Sequence, residues 1–134
     1  MKDQEERVGK HYDSIFDYES NRLVRDCPVE FAMTCRALER WVPAGSAVAE
    51  IGVGGGHYTE FLARRGCSIH LVDVSKSLLN AAQEKLKRAG LNERIAGVSH
   101  ASATRLDTLA DAIFDAVLLL GGASSRLRMR ASRL

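Results

Sequence analysis

The sequence predicts an α/β fold, a mainly parallel sheet between helices in a three-layer sandwich. Three observations lead there. From residue 47 onward, stretches of strand character alternate with stretches of helical periodicity, the pattern of consecutive βαβ units. The run Phe114-Asp-Ala-Val-Leu-Leu-Leu120 is continuously apolar after its aspartate, as a strand buried on both faces would be. Between the first strand and the next helix lies a turn with glycine at 52, 54, 55 and 56, where a ligand can approach closer than any Cβ would allow.

Taken in order, the segment to about Asp26 is polar with interspersed aromatics (Tyr12, Phe16, Tyr18) and reads as a loosely helical N-terminal arm, residues 1–27. Pro28 opens a helix at no hydrogen-bond cost. Phe31, Cys35, Leu38 and Val42 recur at helical spacing, Trp41 is expected to join them as a core anchor, and Pro43 with Gly45 ends the run. Ala47 to Ile51 is the first strand. A helix from about His57 to Arg65 is stopped by Gly66, and Cys67 to Val72 is the second strand. Ser75 is placed as N-cap of a helix through Ala89, with Leu78, Leu79, Ala82, Leu86 and Ala89 on one face and Gly90 beyond its end. Arg94 to Ser99 forms the third strand, Thr108 to Ile113 a short helix or turn, and Phe114 to Leu120 the fourth strand.

A length of 134 residues fits one domain, and 46% hydrophobic with 27% charged residues is ordinary globular composition. No apolar run approaches the ~20 residues of a membrane-spanning helix. The start, Met1 to Arg7, is too acidic and polar for a signal or transit peptide, so a cytoplasmic protein without membrane contact is expected. Cys27, Cys35 and Cys67 are odd in number and lack C-x-x-C spacing, which predicts reduced, half-buried thiols and no metal site. The net charge of +2 divides unevenly: residues 121–134 contribute +4 through Arg126, Arg128, Arg130 and Arg133, and the rest sums to −2. Any nucleic-acid footprint would be confined to that tail, and arginines without interleaved aromatics argue against one.

In an open parallel sheet, ligands bind outside the carboxyl ends of the strands. The first strand ends at the glycines and the second at Asp73, 21 residues after Gly52. A carboxylate there can accept hydrogen bonds from both hydroxyls of a ribose, so a nucleoside-containing ligand is expected. A dinucleotide fingerprint would read G-x-G-x-x-G, but here the spacing is G-x-G-x-G and His57 stands at the third site, which disfavours NAD. Glu50, two residues before the first glycine, would repel a pyrophosphate and suit a cationic group.

On these residues the chain resembles the class I S-adenosylmethionine-dependent methyltransferases, whose fold is Rossmann-like, over roughly residues 28–120. Glu50-Ile-Gly-Val-Gly-Gly-Gly56 is similar to that family's first motif, which implies that Glu50, Gly52, Gly54 and Gly56 surround the methionine portion of S-adenosyl-L-methionine. The resemblance assigns Asp73 to the ribose hydroxyls and Val74 to adenine. Ala101-Ser-Ala-Thr-Arg-Leu106 occupies the place of a Gly-Asp-Ala-x-x-Leu-like segment, so Ser102 and Ala103 fall at the adenine edge, with serine where the family often has aspartate. Phe114-Asp-Ala-Val117 matches a fourth-strand pattern, and Leu120-Gly121 lies where that strand opens into the cofactor and acceptor pocket. The acceptor is expected to be a small molecule. No universal catalytic residue is implied. If the acceptor must lose a proton, His11, Tyr12, Tyr18, His57 and His100 are candidate bases; His70 falls in a strand, and Tyr12, Tyr18 and Arg22 are candidates for a lid over the cofactor.

The family's sheet has seven strands, and residues 121–134 are too few to build the remainder. The tail is therefore expected to be non-native, from a frameshift or truncation after Gly121, with strand 114–120 a bare edge that could pair with a second copy. Alternatives to a methyltransferase are a non-catalytic S-adenosylmethionine or S-adenosylhomocysteine-binding fragment, an NAD-linked oxidoreductase, and nucleic-acid binding through the arginine tail.

Overall fold

The computed structural model describes residues 28–101, 114–120 and 128–130, together with Gln4, Glu6 and Arg7. The expected lid residues Tyr12, Tyr18 and Arg22, the candidate base His11, Cys27, the segment Thr108 to Ile113 and most of the tail lie outside them.

The elements follow the order α1 (Pro28–Trp41), β1 (Ala47–Ile51), α2 (His57–Arg64), β2 (Ser68–Asp73), α3 (Lys76–Arg88), a 3-10 turn (Asn92–Arg94), β3 (Ile95–His100), β4 (Ala116–Leu119) and β5 (Arg128–Arg130). The sheet order is β3-β2-β1-β4-β5, with the first four strands parallel and β5 antiparallel to β4. The chain moves outward from β1 to β2 and β3, then returns to the other side of β1 for β4. The strand order therefore reverses beside the carboxyl end of β1, where the glycine turn begins.

Strand alternation decides which residues meet the helices. Val48 and Glu50 on β1 stand level with Ile69 and Leu71 on β2 and with Ala116 and Leu118 on β4, so one parity of each strand forms a common face. These residues join Leu38 of α1, Val42 just after it, Leu62 and Ala63 of α2, and Leu78, Leu79, Ala82 and Leu86 of α3 in one buried cluster, Glu50 excepted. Phe31 of α1 also stacks on Tyr58 of α2, with ring centroids 5.1 Å apart. All three described helices thus lie on one face. The other carries His70, Ser99, Val117 and Leu119, and among the described residues no helix covers it, so the expected third layer is not among them.

Two hydrogen-bond patterns fix the helix ends. At α2, Gly66 N–H donates to Ala63 O and Cys67 N–H to Leu62 O; at α3, Gly90 N–H donates to Lys87 O and Leu91 N–H to Leu86 O. Both are Schellman closures, which is why glycine follows each helix. At the amino ends of the strands, Asp115 binds Ala47 twice, its N–H donating to Ala47 O and its Oδ2 accepting from Ala47 N–H, each at 2.8 Å. The Phe-Asp pattern therefore acts structurally, at the end of the sheet away from the glycines.

Three expectations are corrected. Trp41 is 60% exposed rather than a core anchor, since Val42 takes the core position and is 1% exposed. Strand β4 is not a bare edge, because Val117, Leu118 and Leu119 pair with Arg130, Met129 and Arg128 of β5. It is also not buried on both faces, since Leu119 is 38% exposed. Cys35 is half-buried as expected and Cys67 fully buried, both as free thiols.

Candidate functional site

The turn leaving β1 is built as a continuation of the sheet. Gly52 N–H donates to Val72 O at 2.8 Å, extending the β1–β2 ladder by one rung, and Gly56 N–H donates back to Val53 O at 3.0 Å to close the turn. Gly52, Gly54 and Gly56 all take positive φ. Their surroundings differ. A Cβ on Gly54 would meet nothing within 4 Å, whereas one on Gly56 would lie 2.8 Å from the Ala82 Cα and 3.1 Å from its Cβ. Gly54 therefore borders open space, and Gly56 lets α2 begin directly against α3. Close packing, the role of the third glycine in a dinucleotide fingerprint, falls here to Gly56 rather than to the position of His57.

Glu50 is wholly buried on the helix-facing side of β1, between Leu71 and Leu118 of the neighbouring strands. Its Oε2 accepts a hydrogen bond from Thr59 Oγ1 on α2 at 2.7 Å, and its Oε1 has no partner. Burial raises its carboxyl to about 8; the Thr59 hydroxyl opposes that rise and the charge of Asp73 adds to it. A buried acid with an unsatisfied oxygen is costly in isolation, and a cation at Oε1 would relieve the cost.

Asp73 ends β2 and joins the two loops. Its Oδ2 accepts from Val53 N–H in the glycine turn and its Oδ1 from Ser75 N–H, both at 2.9 Å. Burial pushes its carboxyl up, while the amides of Ser75, Val53, Gly54 and Val74 pull it back. Each carboxylate oxygen has a second lone pair, so this stapling leaves acceptor capacity for ligand hydroxyls. Ser75 also caps α3, accepting from Leu78 N–H at 3.2 Å.

Val74 and Leu120 are half-buried at the carboxyl ends of β2 and β4, beside the same turn. The structure thus brings Glu50, Gly52, Gly54, Gly56, Asp73, Val74 and Leu120 to one end of the sheet. Ser102 and Ala103 lie outside the described residues. Of the candidate bases, His57 Nδ1 lies 2.9 Å from Lys85 Nζ of α3, and His100 Nε2 donates to Val74 O at 2.8 Å. Because an ammonium can only donate, His57 Nδ1 is the acceptor there. His70 lies on the opposite sheet face, with Nε2 2.8 Å from Ser99 Oγ, and burial lowers its pKa.

Sequence reasoning missed Thr59 and Lys85. A signal for Thr59 was present: it falls three and four residues before Leu62 and Ala63, on the apolar stripe of α2, where a hydroxyl needs a buried partner. Lys85 gave none, since a lysine near a helix end is ordinary.

No curated protein sequence matches the chain. Among solved structures it resembles a protein from Clostridium thermocellum described as a candidate rRNA methylase, at 20% identity and a TM-score of 0.58, over 74% of this chain and 57% of that one. It also resembles a SAM-dependent methyltransferase from Aquifex aeolicus at 23% identity and a TM-score of 0.42, over 62% and 41%. The chain thus spans 57% of the length of the first, and that likeness is one of fold. A methyltransferase-domain profile matches residues 48–130, from the second residue of β1 through the last of β5. With its sheet inside that match, the chain belongs to the methyltransferase-domain family.

Proposed function

We propose that the chain binds S-adenosyl-L-methionine at the carboxyl end of the sheet and transfers its methyl group to a small-molecule acceptor. The observation that carries this reading is Glu50, a buried carboxyl whose Oε1 lacks a partner, one residue from a glycine turn. Such a group offers a phosphate no positive partner, and once ionised it pairs with a ligand bearing an ammonium and a sulfonium. In this reading Glu50 receives the cationic end and Gly54 leaves room for close approach. The N-terminus of α2, which has no side-chain cap, suits the ligand carboxylate. Asp73 takes the ribose hydroxyls, while Val74 and Leu120 supply apolar contact.

When bound, the cofactor supplies an activated methyl group on a sulfonium, so the chain's own residues mainly align the partners and exclude water. Free thiols at Cys35 and Cys67 agree with a reducing compartment, and a cytoplasmic location is part of this proposal. Among the described residues no helix is long and apolar enough to cross a membrane.

Thermal unfolding with saturating S-adenosylhomocysteine, S-adenosylmethionine or NAD tests the cofactor. Binding to the folded chain at ~100 times the dissociation constant adds about 2.7 kcal/mol. Either adenosyl ligand is expected to raise the transition and NAD to leave it unchanged; no shift with either overturns the reading. A second reading is binding of the adenosyl ligand without turnover. Transfer of labelled methyl groups to small-molecule acceptors separates the two.

A further inference from the structure

We propose that Thr59 is a positioning residue for the cofactor: its hydroxyl holds Glu50 through Oε2, keeps Oε1 as the acceptor for the ligand's cation, and makes binding release one proton from Glu50. This deepens the cofactor reading above and rests on it. Thr59 is 0% exposed, on the α2 face that meets β1, and its Oγ1 lies 2.7 Å from Glu50 Oε2. It is the partner that the structure gives that carboxyl, and the other oxygen is left unsatisfied.

The groups around Glu50 explain the proton linkage. From β2 and β4 it faces Leu71 and Leu118, both apolar and buried. From the end of β2, Asp73 acts on it by charge and opposes a second negative charge. Lys85 of α3, beside the start of α2, lies at hydrogen-bond distance from His57, and Glu60 and Arg88 act on it by charge. With an apolar surround and an acid as charged neighbour, Glu50 keeps its proton until a cation arrives at Oε1. The ligand's positive group then replaces the proton, which leaves to solvent. The Thr59 hydroxyl donates to the ionised form and so eases that exchange.

Calorimetric titration of the full chain with S-adenosylhomocysteine between pH 5.5 and 8.5, in buffers of differing ionisation heat, reads both affinity and protons released. For the wild type, one proton is released near neutrality and affinity rises about tenfold per pH unit until it levels off. Thr59→Val is expected to move that levelling-off to higher pH, so that binding is weakened below the wild-type levelling-off and approaches the wild-type affinity above it, Thr59→Ser to restore the wild-type profile, and Glu50→Gln to remove the pH dependence. A merely structural threonine would change the unfolding temperature and leave the profile in place. Binding that is flat with pH, or that Thr59→Val weakens by one constant factor at every pH, overturns this proposal alone. If Thr59→Val does not fold, Thr59→Ala takes its place with the same expected displacement, and wild-type binding without proton release overturns the proposal. No binding by the wild type at any pH overturns it together with the cofactor reading.

Discussion

Replacing Gly56 with alanine tests whether the glycine turn serves packing as well as ligand access. The backbone there has φ 82°, a left-handed conformation that costs an L residue about 1 to 2 kcal/mol. The added methyl would also lie 2.8 Å from the Ala82 Cα and 3.1 Å from its Cβ, and overpacking of this kind costs about 1 to 3 kcal/mol. The sum, about 2 to 5 kcal/mol, is a large part of a small domain's stability. Gly54→Ala is the control, because its φ is 55° and nothing lies within 4 Å of the new methyl. It should cost about 1 kcal/mol in stability while weakening S-adenosylhomocysteine binding, because the methyl enters the space left for the ligand. Urea unfolding followed by circular dichroism measures both variants. Adding Ala82→Gly to Gly56→Ala should not restore stability, since the nearest clash is with backbone. A Gly56→Ala chain as stable as Gly54→Ala would refute this account.

Folded Glu50 keeps its proton to about pH 8, whereas an ordinary carboxyl releases it near 4.5. Between those values the folded state binds more protons, so its stability falls as pH rises, on the order of 5 kcal/mol in all. Unfolding of Glu50→Gln measured from pH 5 to 8 should lack this fall. Asp73→Asn would set amide hydrogens against one of the N–H groups of Val53 and Ser75, costing about 2 kcal/mol in urea unfolding and abolishing adenosyl-ligand binding. Deleting residues 121–134 would uncover the β4 edge at Val117 to Leu119, and sedimentation should then report self-association rather than a compact monomer.

The sheet from β1 to β4 was legible in the sequence because strand and helix periods alternate cleanly between punctuating glycines. Element bounds differ from expectation by a residue or two, as at β3, which begins at Ile95 after a 3-10 turn. Trp41 was misplaced for a geometric reason. Leu38 and Val42 lie one turn apart and both face the core, and Trp41, about 100° round from Val42, falls on the outer side of that stripe. Strand β5 was illegible because Arg128-Met-Arg130 has neither length nor apolar alternation. At the site, Glu50 and Asp73 were readable from their spacing to the glycines. The Glu50–Thr59 bond was not, since it depends on how α2 lies across β1.

The exposure of Trp41 has an optical consequence. It is the chain's one tryptophan, its ring faces water, and the Arg40 guanidinium sits 5.5 Å from the ring centroid. It stands at the end of α1, before β1 begins, whereas the glycine turn follows β1 at the opposite end of the strand. An indole already in water gains little further exposure when the chain unfolds, and it lies too far from the turn to sense a ligand there. Native fluorescence is therefore nearly blind to both events in this protein, and a tryptophan placed at the half-buried, core-packed Phe31 would report on the joint between α1 and α2 instead.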